Sequence, residues 1–283
     1  MNLAESIVLE NAVRLERDIV KGVHTLDVDG GHGSYAEMRF LTDTYYEMQR
    51  MRISLENQIR SMGDSSEPHS ILDWASRQAS LMEKQTERAL KAYTNATVPG
   101  LWLQSVKGIG PVLAANFLAH LDVTRTATAG GFWRFAGLDP SVTWGKGEKR
   151  PWNADLKTAC WKASDSWVKL KSHADSFYSG VYVQRKEYEV ARNESGGNAE
   201  TAARTLEKKK FGKDTEAFKA YTDGRLPAGQ IDNRARRYAV KLFLAHLHHV
   251  MYVEHYGKLP PKPYVIEHGG HAHVIDPPGW PLS

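Results

Sequence analysis

The sequence predicts a mainly α protein: an antiparallel coiled-coil hairpin followed by a helical domain that contains a helix–hairpin–helix. Three observations carry this expectation. Heptad-spaced residues run through two stretches, from Leu41 to Met62 and from Leu72 to Tyr93. The segment Lys107-Gly108-Ile109-Gly110-Pro111 joins two apolar helical patterns. Strand signals are few outside Tyr264 to Glu267.

The elements are expected in this order. Residues 1 to 24 read as a helix, and the glycine-rich stretch Asp29 to Gly33 as a linker, since no apolar strand precedes it as a phosphate-binding loop requires. Leu41, Tyr45, Met48, Arg52, Leu55, Ile59 and Met62 alternate steps of four and three on a helix of roughly 28 residues, and Arg52 is their one charged member. Gly63 to Pro68 interrupts the pattern. Leu72, Ala75, Ala79, Met82, Thr86, Ala89 and Tyr93 form a second seam, with several small residues that allow close approach. Two ordinary bundle helices packed on the domain that follows would give the same pattern. Asn153 is placed to cap a helix whose buried face is Leu156, Cys160, Ala163, Trp167 and Leu170. Residues 192 to 213 read as a basic loop or a short helix. A long helix is expected from about Asp232 to Tyr256, stopped by Gly257 and the prolines at 260, 261 and 263. The division is a helical, coiled-coil region over 1–96, a helix–hairpin–helix domain over 97–258 and an extended His- and Pro-rich tail over 259–283.

Chemistry concentrates in the hairpin and in one loop. Two glycines let the backbone turn tightly and come close to a ligand. Pro111 suits the first position of a helix, where its missing N–H costs nothing. Free amides at such a turn suit an anion, and a nucleic-acid phosphate is the usual one. A turn that merely packs is the alternative. The loop Ser141 to Trp152 (SVTWGKGEKRPW) interleaves Lys146, Lys149 and Arg150 with glycines and tryptophans, as suits a segment lying along a nucleic-acid backbone; a solvated loop would look the same. The late helix adds Arg236, Arg237 and Lys241. The candidate nucleic-acid contacts are therefore Lys107, Gly108, Ile109, Gly110, Lys146, Lys149, Arg150, Arg236, Arg237 and Lys241.

Charge distribution agrees. The first 96 residues hold 11 Lys and Arg against 15 Asp and Glu, while the rest hold 26 against 18, so the later part is the one expected to meet a polyanion. With 41% hydrophobic and 25% charged residues the composition is that of a soluble globular chain. No signal peptide and no apolar stretch long enough to cross a bilayer is read. The single Cys160 excludes an internal disulfide and a multi-cysteine zinc site, and fits a cytoplasmic location.

With these residues in view, the chain resembles the C-terminal part of the transposases of insertion-sequence family 110. Three ordered blocks carry the resemblance: Val106 to Pro111 with the apolar helix after it, Phe135-Ala136-Gly137-Leu138-Asp139-Pro140-Ser141-Val142, and Arg237-Tyr238-Ala239-Val240-Lys241-Leu242. The helix pair ahead of the hairpin fits the family's layout as well. The resemblance implies a role in DNA transposition or recombination, with structured RNA as a further partner. It also implies a RuvC-like nuclease domain whose four acidic residues hold Mg²⁺, and the stretch before the coiled coil is too short for one. The family's serine nucleophile falls on Gly145, and Ser141 and Thr143 are nearby hydroxyls that could substitute. With nucleophile and metal site both missing, the expectation is a chain that binds rather than cuts, without a cofactor.

Seven of the 12 histidines fall between His246 and His273. His246 and His249 share a helical face, and His268, His271 and His273 have donor spacing that a metal could use; histidines on a polar face and in a loop are the plainer account. The leading expectation is a DNA-binding protein, dimeric through its coiled coil and not attached to a membrane. The rivals are a recombinase working with a nuclease subunit in trans, a guide-RNA-binding factor, and a purely structural assembly protein.

Overall fold

The computed structural model describes residues 33–62, 69–261 and 275–282, with the side chains at 33–35 and 69 left aside. The helix expected over 1–24, most of the glycine-rich stretch after it, the interruption at 63–68, the strand signal at 264–267 and the three tail histidines lie outside those residues. The described residues form ten α-helices and a 3-10 turn, with no strand. Among them no helix is long and apolar enough to cross a membrane.

The helices are α1 (Gly33–Met62), α2 (His69–Asn95), α3 (Val98–Ser105), α4 (Pro111–His120), α5 (Ala129–Phe135), α6 (Ala154–Lys169), α7 (Phe177–Glu194), α8 (Ala199–Lys208), α9 (Glu216–Thr222) and α10 (Ala228–Tyr256). They fall into two compact units. The first runs to Ser105 and resumes over Ile109–Arg125; the second comprises Val106–Gly108 and Thr126–Pro281.

In the first unit α1 and α2 pack along their length and are antiparallel. The Tyr93 hydroxyl donates to Glu37 at 2.6 Å and Arg52 Nε to Glu83 at 2.6 Å, so rising positions on one helix meet falling positions on the other. Every residue of the α1 seam is half-buried, while the fully buried residues of α1, Met38 and Thr42, lie beside the seam. On α2 the seam residues Ala79, Thr86, Ala89 and Tyr93 are buried, but at one position Met82 is exposed and its neighbour Glu83 is buried instead. The cause is Arg52, whose guanidinium on the facing helix needs an anion more than it needs a thioether. Helices α3 and α4 close this unit around Trp102, Leu103, Phe117 and Leu121, each 1% exposed or less. Burying side chains of this size contributes about 1.5–3 kcal/mol each relative to leaving them in water.

The second unit is organised on α10, which packs against α5, α6 and α7. Trp167, Tyr178 and Phe243 form its aromatic centre, with ring centroids 4.8 to 5.4 Å apart. Asn153 caps α6 as expected, its side chain accepting from the Leu156 amide at 2.8 Å. Gly257 ends α10 at a φ of +64°, the left-handed conformation that favours glycine. Residues 192–213 supply a short helix, α8. It packs with α9, around Ala202, Tyr221, Leu226 and Ile231.

Candidate nucleic-acid interface

The hairpin divides by role. Gly108 sits at φ +96°, and a Cβ there would lie 3.1–3.3 Å from Trp167 and Leu170. The Trp167 indole N–H donates to the Lys107 carbonyl at 3.2 Å. Glycine at 108 is thus required by the turn and by packing alike. Gly110 differs. Its φ of −86° is open to any residue, and a Cβ there would meet nothing within 4 Å. It is exposed, stands at the N-cap of α4, and Pro111 takes the first helical position as expected. Neither the Gly108 nor the Gly110 amide is bonded within the described chain. Ile109 is a core residue at 4% exposure, which leaves its backbone as the part able to meet a ligand. The Lys107 ammonium pairs with Asp175 at 2.6 Å.

The loop after α5 is held in shape rather than loose. Ser141 donates through both its amide and its hydroxyl to Asp139, at 2.9 and 2.7 Å, so that hydroxyl has an internal acceptor. These contacts hold the Asp139 carboxyl below the usual range. Thr143 is exposed. Gly145, at the family's serine position, donates its amide to the Glu148 carboxylate at 2.9 Å, and the Trp144 indole N–H donates to the Glu148 carbonyl at 2.8 Å. At the loop's far end a Cβ on Gly137, at φ +66°, would overlap Trp152 at 2.7 Å. Lys146, Lys149 and Arg150 are all exposed.

Arg150 is drawn into a group of cations that the linear sequence scatters. Its guanidinium lies over Trp144, 5.2 Å from the ring centroid, and Lys157 lies over Trp152 at 4.4 Å. Lys241 lies over Trp133 at 5.0 Å, while the Trp133 N–H donates to the carbonyl of Lys241 itself. Burial holds the Lys157 ammonium below its ordinary range, and Arg237 and Arg150, standing close by, push it the same way. Burial likewise lowers Lys241; Arg237 adds to the effect and Asp139 opposes it. Loop, α6 and α10 therefore converge Arg150, Lys157, Arg237 and Lys241 into one positive patch set on three indoles. None of the four is ion-paired to a described carboxylate. Lys157 carried no motif, and only its position one turn into α6, after a basic loop, could have singled it out.

Arg236 is placed elsewhere. It pairs with Asp232 at 2.6 Å and with Asp165 at 3.4 Å, on a different face of α10 from Arg237. Adjacent residues on a helix diverge by about 100°, which splits the two arginines between an internal network and the open patch.

Two of the helical histidines, His246 and His248, are occupied as well. His246 accepts at Nδ1 from the Tyr178 hydroxyl (2.7 Å) and donates from Nε2 to the Ile275 carbonyl (2.8 Å). His248 donates from Nε2 to the Thr126 carbonyl at 3.2 Å. Among the described residues no group of three or more His, Cys, Asp or Glu could hold a metal ion.

Residues 101–179 match the model of the Transposase IS116/IS110/IS902 family. That span holds the hairpin, the basic loop and α6. The chain thus contains a helical domain related to that transposase family. No curated protein and no solved structure matches the chain.

Proposed function

We propose that this chain binds nucleic acid through its phosphates, with Arg150, Lys157, Arg237 and Lys241 as the principal contact and Lys146 and Lys149 extending it. The observation that carries this reading is the convergence of four cations without a paired carboxylate. Like charges gathered on partly desolvated indoles repel one another, a state that costs free energy until an anion answers it. A polyanion with regularly spaced charges answers several at once and releases its own counterions.

At the hairpin, the exposed Gly110 amide and the start of α4 are a second phosphate contact. Phosphate contacts position without reading bases, so the binding is largely independent of sequence. The relation to the transposase family over 101–179 supports a role in DNA transposition or recombination. With glycine at 145, where the family's serine would stand, the reading is of a binding subunit rather than a nuclease.

Anisotropy of a labelled DNA duplex, titrated at two salt concentrations, tests this. Tight binding at low salt with a steep loss on adding salt is the expected result. The double variant K157A/R237A should weaken binding uniformly across sequences and flatten the salt slope by about 2, roughly one unit per phosphate contact removed. Absence of binding at low salt ends the proposal. A parallel titration with structured RNA separates a guide-RNA partner from a DNA one.

A further inference from the structure

Trp144 is 45% exposed although its loop is well built. Its indole N–H is already bonded to the Glu148 carbonyl, and the same residue's carboxylate takes the Gly145 amide, so the polar edge of the ring is satisfied from within. Gly147 completes the turn at φ +89°, with nothing near the place a Cβ would occupy. What this fixed indole still offers to solvent is aromatic surface. Trp152 stands against it, centroids 5.9 Å apart and planes at 73°, and the cations Arg150 and Lys157 lie over Trp144 and Trp152 respectively.

We propose that Trp144, flanked by Arg150 and braced by Trp152, is a stacking surface for an unpaired base, so that the basic loop takes single-stranded DNA or RNA in preference to a duplex. The inference rests on the phosphate-binding reading of the neighbouring cations and adds the strand type to it. Cations alone serve a duplex and a single strand alike, because both present phosphates. An exposed indole serves only a strand whose bases can leave their stack, since in a duplex both faces of each base are covered. Interleaving rings with cations lets successive bases and phosphates be met together. Because the loop's own hydrogen bonds hold the ring, little conformational freedom is lost when a base lands on it.

The full chain is titrated at low salt with labelled 12-nucleotide oligothymidylate, with oligouridylate of the same length and with a 12-base-pair duplex. The wild-type chain is expected to bind one or both single strands about tenfold more tightly than the duplex, the scale of one base–aromatic stack; which strand it prefers identifies the natural source of the base. W144L should lower the ratio of single-strand to duplex affinity about tenfold, whatever it does to binding of both, while W144F, which keeps a ring, should retain most of the preference. Equal wild-type affinity for strand and duplex overturns the inference and leaves the phosphate reading standing, as does W144L matching wild type or W144F falling as far as W144L. Binding to none of the probes overturns the phosphate reading and this inference with it.

Discussion

Arg52 on α1 reaches Glu83 on α2 through Nε at 2.6 Å, and Gln49 donates to the same carboxylate at 3.1 Å. Arg52 also holds Glu56, one turn along its own helix. A single charged residue in an apolar seam is thereby explained by a carboxylate 31 positions later. The pair fixes register, because sliding either helix by one residue would leave the buried Glu83 without its cation. Replacing Arg52 by Met should destabilise the chain by about 2 kcal/mol, since it strands Glu83. The double variant R52M/E83M should recover part of that loss. Urea unfolding of the three proteins checks it, and a double variant less stable than the single one would refute the register role.

The same pair has a pH signature. The Arg52 guanidinium bonded to Glu83 holds its carboxyl below the ordinary glutamate range. A lowered native value means this contribution is whole above an unfolded pKa of about 4.3 and is lost as pH falls through the native value. Wild type should therefore lose stability more steeply than R52M/E83M below about pH 4. Parallel acid titrations of the two proteins give the comparison.

Local signals made the helices legible before the structure. Asn153 capping α6, Pro111 opening α4 and Gly257 closing α10 each depend on residues within one turn, and each lies where the sequence put it. Long-range partners were not legible. Met82 reads as a seam residue because it is apolar, whereas Glu83 takes the position through Arg52 on the other helix. The candidate interface divides the same way. Arg150 stood out by composition, but the company of Lys157 depends on α10 delivering Arg237 from 80 residues away. Asp232 lies four residues before Arg236, a spacing that announces an ion pair; Asp165, its second partner, could not be seen from that helix.

The two hairpin glycines should separate stability from binding. Gly108→Ala faces a left-handed φ and a crowd formed by Trp167 and Leu170, and should cost about 1–3 kcal/mol. Gly110→Ser has open space and a helix N-cap, a favourable place for serine, so its melting temperature should stay at or slightly above wild type. If a phosphate meets this turn, the new hydroxyl competes for the same amides and weakens nucleic-acid binding. Thermal melts paired with anisotropy titrations decide; equal destabilisation by both substitutions would show that the glycines share one structural duty.

Cys160 should be inert in the native protein. It is 2% exposed in the core face of α6, and burial pushes its thiol up to about 12. Thiolate is the reactive form, so both access and ionisation are denied. Iodoacetamide should label it only after denaturant opens the second unit, with a rate that follows unfolding. Fast stoichiometric labelling under native conditions would contradict this packing.

His246 offers the sharpest pH test of the second unit. It is 3% exposed, and burial lowers its pKa to about 4; His249 nearby acts in the same direction, while the Ile275 carbonyl and Asp276 oppose it. The neutral ring suits its place, donating to Ile275 and accepting from Tyr178, and an imidazolium could not accept that second bond. The unfolded chain takes up a proton near pH 6.5, whereas the native ring resists until about 4. The native state is thus favoured fully above pH 6.5 and loses about 3 kcal/mol from this group as pH falls to about 4. His248 and His249 are lowered too, so the wild-type decline should be steeper than one group gives. His246→Gln keeps an amide for hydrogen bonding but does not titrate. Wild type should exceed it in stability at pH 7.5, and that gap should shrink by about 3 kcal/mol at pH 4. A gap that stays constant across this range would mean the ring titrates alike in the folded and unfolded chain, and the Tyr178–His246–Ile275 connection would have to be redrawn.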